Sequence, residues 1–497
     1  MSRNGLWHSR LKLTLCSLSL LTCTFLLDKR LREIESDFDV KKPQKSDFLE
    51  DVDYALDSLD YMQKLKEFKA HVRPVVEQSQ TVEEHYWSCY LKQPESVVHS
   101  SWLEQNDFHL FSAYYDRRYS SLFQESHVIQ VLGMHFRRLS NETDVYCNIF
   151  TQDGSSASVK GYYREIWQRG WDPRDHFYIP YLLSCPVPER MKDLQQTYSI
   201  ALSKTPCKAT PTAFAVNKQQ VIQENDKDDV VVCVKGMDFQ EDISSSLVEW
   251  FESQFLFGAN KIQLYTYTVS PKTSKVLEYY KKKKNVSVIP LTLPGNSPNI
   301  PFVRNSYIWR NRQQKRRHEL IPYNDCLYRH IHSHKYILII DTDEIVVPLK
   351  HGNYKNMLDY LERRNETILL SSLSVRNIFK FPTNQTDSRY EPYILRNNMR
   401  SRKPSAPGEY GKSFTRTSNV ATVFNHFGLH RQSPDIVRTI HIPIDVAVKL
   451  HYKSKCPIES QNECGSLLND TIADDSLEPY AQKLNKRIQD VMTSIHL

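Results

Sequence analysis

Residues 229–236 read DVVVCVKG and residues 335–344 read KYILIIDTDE; these two stretches decide the fold. Each is a continuous apolar run, the mark of a strand buried on both faces. Between them comes a helix-period segment opened by Ser244 to Ser246, with Leu247, Val248, Phe251 and Phe255 as its apolar face and Gly258 as its stop. IQLYTYTV (262–269) then reads as a strand, Pro271 to Tyr280 as a helix, and VSVIPL (286–291) as a strand. A Pro/Asn/Gly loop runs from Pro294 to Pro301, and Asn324-Asp325-Cys326 is placed to cap a helix reaching His334. Alternating strands and helices of this size predict an α/β domain, a Rossmann-like mostly parallel sheet with helices on both faces. Ligands sit at the C-terminal strand ends of such sheets, and Asp341 and Asp343 fall at one of them.

Outward from this domain, assigned to 226–455, the character of the chain changes. Residues 81–225 are aromatic, with short β-prone runs such as HVIQVLGMHF and DVYCNIF broken by Asp-Gly, Pro and Ser, so a mostly β accessory domain is expected. Residues 28–80 are charge-rich and read as a stem. Leu49, Val52, Leu56 and Leu59 give it one amphipathic helix, a spacer or the seam of a homodimer. Residues 13–27, LTLCSLSLLTCTFLL, carry no charge and follow Arg3, Arg10 and Lys12. A basic flank before an apolar run keeps residues 1–12 cytoplasmic and sends the rest to the lumen. No small-residue cleavage site follows, so a signal-anchor is favoured over a cleaved signal peptide, and a short span suits an early secretory membrane. Residues 456–497 read as a C-terminal tail.

Cysteine usage agrees with a lumenal destination. Eight of the ten cysteines lie outside the span, enough for up to four disulfides. Their pairing is not readable from spacing; Cys456 and Cys464 are the easiest local pair, and Cys233, inside an apolar run, reads as a buried thiol. Sequons at Asn141, Asn285, Asn365, Asn384 and Asn469 point the same way. At 40% apolar and 11% aromatic, the chain has the material for a sizeable core. With 13 glycines and no G-x-G-x-x-G or G-x-x-x-x-G-K-[ST] string, glycine-loop nucleotide enzymes are disfavoured. H-E-x-x-H and G-x-S-x-G are absent too, so neither a zinc protease nor an elbow serine hydrolase is supported.

A D-x-D string alone says little, since Asp37-Phe38-Asp39 and Asp51-Val52-Asp53 repeat it in the stem. Placement after a buried strand sets Asp341-Thr342-Asp343 apart. Two carboxylates there repel unless a cation intervenes, and oxygen ligands of this kind suit Mg²⁺ or Mn²⁺ with sites left for phosphate oxygens. The bland reading is a strand-end turn with capping aspartates. Of the formal +7, Arg304 to Lys335 carries eight bases against two acids, and Arg396 to Arg416 six against one, so the remainder of the chain is net negative. Nucleic acid is a poor partner for a lumenal chain; an anionic diphosphate fits better. His426 and His451 each end an apolar run, where a lone histidine is more often structural than a ligand.

The strings VVVCVKGMDF, LVEWFESQFLFGANKIQLY, KRRHELIPYNDCLYRH, KYILIIDTDEIVVP, GKSFTRTSNVATVFNHF and VAVKLHYK, in this order over roughly 229–455, strongly resemble glycosyltransferase family 92. The resemblance implies a single-pass Golgi enzyme of GT-A fold that transfers galactose from UDP-galactose, with inversion and with Mn²⁺, into β1,4 links on fucose or galactose of glycans. It matches Asp341 and Asp343 to the metal and nucleotide-sugar motif, makes His451 a further metal ligand and adds His426 as a lesser candidate. Donor contacts are then expected from Lys235, Asp238, Asn324, Asp341, Lys412 and Arg416. The catalytic base is expected among Glu344, Glu391, Asp435 and Asp445. Two other classes stand beside this one, a catalytically silent glycan-binding protein and a metal-dependent phosphohydrolase; the second lacks a second acid/His cluster.

Overall fold

The computed structural model describes residues 86–497 except 88, 101, 120–126, 141, 193–194, 365–368, 383–389, 391 and 454–465. The tail, span and stem, the Cys456/Cys464 pair, Glu391 and the sequons at Asn141, Asn365 and Asn384 therefore lie outside the described residues. Among the described residues no helix is long and apolar enough to cross a membrane.

The first domain is a β-barrel. Strands Phe108–Asp116, Val128–Phe136, Tyr178–Pro186, Ser156–Glu165, Val145–Thr151, Tyr198–Ser203 and Thr212–Asn217 pair antiparallel in that order. The last then pairs parallel with the first, Val216 opposite Ala113, and closure removes the exposed edges a sheet would otherwise leave. Leu110, Ile129, Val131, Ile149 and Leu183 fill its interior. Disulfides Cys89–Cys207 and Cys147–Cys185 tie it down.

The second domain is mixed α/β. The strands of its two larger sheets are β1 (Asp228–Asp238), β2 (Lys261–Thr268), β3 (Val286–Pro290), β4 (His334–Ile339), β5 (Glu344–Pro348), β6 (Leu370–Val375), β7 (Asn377–Lys380), β8 (Lys412–Arg416), β9 (Val437–His441) and β10 (Ala447–Tyr452). The main sheet runs β3-β2-β1-β4-β8-β6-β9: parallel through β4, with β8 antiparallel to both neighbours and β9 parallel to β6. A small sheet, β5-β10-β7, stands beside it. Its longer helices are α1 (Ser244–Leu256), α2 (Pro271–Lys283), α3 (Pro301–Arg310), α4 (Arg312–His330), α5 (Tyr354–Arg364) and α6 (Ala481–Ile495). Gly258, at φ 102°, takes the left-handed conformation that ends α1.

Three expectations need correction. Residues 456–497 are not merely a tail: Leu484, Ile488, Val491 and Ile495 of α6 enter the main core with Leu247 and Phe251 of α1. Cys233 is not a thiol but is bonded to Cys326, joining β1 to α4. Asn324 caps nothing, because α4 starts twelve residues earlier. Its side-chain NH₂ donates to the Leu320 and Val423 carbonyls at 2.8 and 3.0 Å, and its Oδ1 accepts from the Val423 N–H at 2.9 Å.

Helix α4 lies between barrel and sheet and is held to both by buried polar groups. Arg317, fully buried, pairs with Asp172 at 3.2 Å and stacks over Trp167 and Phe177 at 4.1 and 4.3 Å. The Asp325 carboxylate, also fully buried, accepts from Tyr114 of the barrel at 2.6 Å, Tyr265 of β2 at 2.5 Å and Arg329 at 2.7 Å. Removing one member of such a network strands the others without water. Asp325→Ala is expected to destabilise the folded protein by about 3–5 kcal/mol, measured as a shift of the urea midpoint; a shift too small to resolve contradicts this account of the junction.

Candidate functional site

Parallel strands β1 and β4 finish at the same edge of the sheet. The chain leaves β4 through Asp341 and Asp343 and enters β5 at Glu344. Strand β8 runs the other way, and with Leu338 opposite Phe414 its first residue, Lys412, reaches the same edge. Strand β10 ends there as well, His451 directly opposite Glu344. Strand alternation puts Lys449, His451 and Lys453 on one face. Four lysines, three carboxylates and an imidazole thus converge from five strands and the turns that follow them.

Their contacts alternate in sign. Asp341 lies between Lys235, at 3.0 Å from Oδ1, and Lys412, at 3.2 Å from Oδ2. Lys235 also reaches Glu319 of α4 at 3.3 Å. Lys412 is buried, donates to Asn425 Oδ1 at 2.6 Å and stands 3.5 Å from Glu344. Glu344, 2% exposed, pairs with the fully buried Lys449 and accepts from the Asp341 N–H at 3.1 Å. Asp343 is the open member: its side chain is 43% exposed, and Oδ2 lies 3.3 Å from His451 Nε2 and 3.1 Å from Lys453 Nζ.

Burial opposes ionisation of all three carboxylates, and their partners overcome it. Lys235 and Lys412 hold Asp341 well below the usual carboxylate range, and Lys412 and Lys449 hold Glu344 below it. Against the same burial, the hydrogen bond and charge of His451, with Lys453, take Asp343 to about 2. Burial, then the charge of Lys449, lowers the pKa of His451. Neutral imidazole is the form that presents a lone pair to a metal.

No group of three or more His, Cys, Asp or Glu able to hold a metal ion occurs among the described residues. Asp343 and His451 nevertheless fit a divalent cation as its two protein ligands, since Mg²⁺-type sites draw most of their coordination from water and phosphate oxygens. His451 Nδ1 is buried without a hydrogen bond, 3.6 Å from Glu344 Oε1, a carboxylate that can hold the proton on Nδ1 and leave the Nε2 lone pair toward Asp343. Asp341 does not fit as a direct ligand, because a lysine ammonium faces each of its oxygens.

Other expected residues lie elsewhere. His426 is near Lys412, but its Nδ1 is engaged with the Gly411 carbonyl at 2.6 Å, and burial with the Lys412 charge takes its pKa to about 4. The Asp238 carboxylate is taken by Arg304 at 2.9 Å, which fixes α3 rather than a donor. Asn324 is buried in the α4 clamp described above. Arg416 sits opposite Tyr336, at the start of β4, and pairs with Glu362 and Glu224 at 2.8 and 3.4 Å. Asp435 precedes β9 at the far edge of the sheet, exposed and bonded by Ser433. Asp445, paired with Lys350, is six residues from His451, about 20 Å along an extended strand. Glu319, Lys449, Lys453 and Asn425 are the site residues that sequence reasoning missed. For the two lysines a signal existed, the i, i+2, i+4 alternation around His451 in VAVKLHYK.

The model of the family described as glycosyltransferase family 92 matches residues 228–488. No curated protein matches the chain. Among solved structures, S. aureus TarS 1–349 in complex with UDP-GlcNAc overlaps 47% of this chain and 60% of its own, at 12% identity and TM-score 0.24. The same fragment in complex with UDP overlaps 33% and 38%, at 12% identity and TM-score 0.18. This chain therefore spans less than two thirds of either TarS chain, and scores this low weigh nothing toward mechanism.

The depressed pKa of Asp343 sets a pH dependence. Its folded value, about 2, lies below the unfolded value of about 3.9. The unfolded chain therefore binds more protons between the two. The contribution of Asp343 to stability is complete above about pH 4 and is lost as pH falls toward 2. Urea midpoints of Asp343→Asn should run flatter than wild type across that window; parallel curves contradict the assignment.

Proposed function

Because the chain belongs to glycosyltransferase family 92, its family domain covering residues 228–488, we propose that it moves galactose from UDP-galactose, with inversion, onto a fucose- or galactose-bearing glycan of glycoproteins, forming a β1,4 link. The observation that carries this reading is the Asp343–His451 pair, the exposed end of a cluster otherwise built from matched charges. A protein that only bound glycans has no use for such a pair or for the lysines around it.

The residues divide the work. Uridine packs at the end of β1 beside Lys235, and Asp343 with His451 would hold Mn²⁺ or Mg²⁺. When bound, that ion neutralises charge on the diphosphate leaving group. Lys453 and Lys235, each partly exposed, supply cations to the same anion as UDP departs. Lys412, buried against Asp341 and Asn425, orients the aspartate rather than touching the donor. Glu344 anchors Lys449 and faces His451, so it positions the imidazole; a carboxylate held ionised by two lysines is a weak proton acceptor. Inversion calls for a carboxylate on the acceptor side. Asp435 and Asp445 are out of position for it, and Glu391 is the remaining member of the expected set.

In this reading the protein is a single-pass type II Golgi membrane protein, anchored by residues 13–27 with the folded domains lumenal. The three disulfides among the described residues support an oxidising compartment. Neither nucleic acid nor a protein substrate without glycans enters this reading.

Incubation with UDP-galactose, Mn²⁺ and fucosylated or galactosylated glycans should release UDP and add one hexose to the acceptor by mass. Asp343→Asn is expected to lower that transfer by about 100-fold or more, the scale of removing one charge-stabilising group, with an unchanged circular dichroism spectrum. Full transfer by the variant sinks the metal assignment.

A further inference from the structure

We propose that Tyr410 is the platform on which the acceptor sugar stacks, an inference that rests on the glycosyltransferase reading above. Strands β7 and β10 place Phe379 beside His451 in register, and the two rings stack at 5.4 Å and 27°. Phe381 stacks on Phe379 at 5.7 Å, and the ring of Tyr410 stands edge-on to Phe379 at 5.3 Å and 69°. Phe379 and Phe381 are buried, whereas Tyr410 is 38% exposed. Aromatic contacts therefore lead from the imidazole that faces Asp343 to one partly exposed tyrosine.

The backbone at that tyrosine is unusual. Tyr410 has φ 52°, in the left-handed region that bulky residues seldom occupy and glycine adopts freely. Its loop is fixed at both ends. The Ser405 N–H donates to the Asn377 carbonyl and Arg376 donates to the Ser405 carbonyl, both at 2.9 Å. At the other end Lys412 is locked between Asp341 and Asn425. Gly411 is packed so closely that a Cβ would meet the Val375 carbonyl at 3.0 Å. Strain of this kind persists where the surroundings over-determine it, and it gathers at ligand clamps.

The chemistry of these rings selects the occupant. Diphosphate has no apolar face, and the reading above assigns the base of the donor to the end of β1 beside Lys235, away from the β7 and β10 rings. A galactose or fucose pyranose has an apolar C–H face and a rim of hydroxyls, which suits an aromatic ring next to charged groups.

Two titrations of detergent-solubilised full-length protein test the inference separately from the reading beneath it: UDP with Mn²⁺ by calorimetry, and a galactose-terminated, core-fucosylated N-glycan by saturation-transfer NMR. Tyr410→Ala is expected to weaken the glycan at least tenfold while its UDP titration overlays that of wild type, and Tyr410→Phe to restore glycan binding. Tyr410→Gly, which adopts the φ of 52° without strain, should lose the glycan as Tyr410→Ala does. Equal glycan binding by wild type and Tyr410→Ala overturns the inference, as does a proportional loss of UDP or the absence of glycan binding in wild type. Failure of wild type to bind UDP, with glycan binding still dependent on Tyr410, overturns the donor reading and sustains this one.

Discussion

The ion contacts of Asp341 with Lys235 and Lys412 are the constraint around which the second domain is arranged. Three carboxylates within four residues cannot all stay ionised beside buried surface unless each has a cation, because an unpaired buried ion costs several kcal/mol. Those cations come from β1, from β8 and from β10 and the residue just past it, and Lys235 is further shared with Glu319 of α4. Sheet order and charge placement are therefore one problem: β8 must run antiparallel to deliver Lys412 at the edge where β4 ends, and β10 must pair with β5 in the register that sets His451 against Glu344. Asp343 alone is turned outward, which is why chemistry is assigned to it and orientation to its neighbours.

Much of this was legible in the residues. Unbroken apolar runs at 230–234 and 336–340 marked central parallel strands, and an acidic pair directly after one of them marked a strand-end crevice. Charge counting was less informative, because net charge along the chain does not say where a cation points. Arg304, Arg317, Arg329 and Arg416 are all engaged with carboxylates of this chain, and of the second basic segment Lys412 alone has its charge in the crevice among the described residues. Lys412 and Arg416 share a five-residue strand, yet four steps of extended chain separate them by about 13 Å. Helix α6 had a readable signal in Leu484, Ile488, Val491 and Ile495 at helical spacing. Asn324 was misjudged because Asn-Asp reads as a cap, while tertiary partners hold it mid-helix past Pro322.

Barrel and sheet are joined through one element, and this limits how either can vary. Along nineteen residues α4 sends Arg317 to the barrel, Glu319 to the crevice, Asp325 to tyrosines of both domains and Cys326 to β1. At about 100° per residue these offsets are fixed: Arg317 and Asp325 lie about 80° apart, and Glu319 and Cys326 share the opposite side. A single deletion anywhere between 318 and 324 would rotate everything downstream by that angle, taking Asp325 off its tyrosines and Cys326 off Cys233 in one stroke. Outward-facing positions of this helix can be substituted singly, whereas a change in its length cannot be absorbed at any of them. The phase of the helix is then more tightly constrained than the identity of its outward-facing residues, and the loops on either side of it are where a change of length leaves that phase intact.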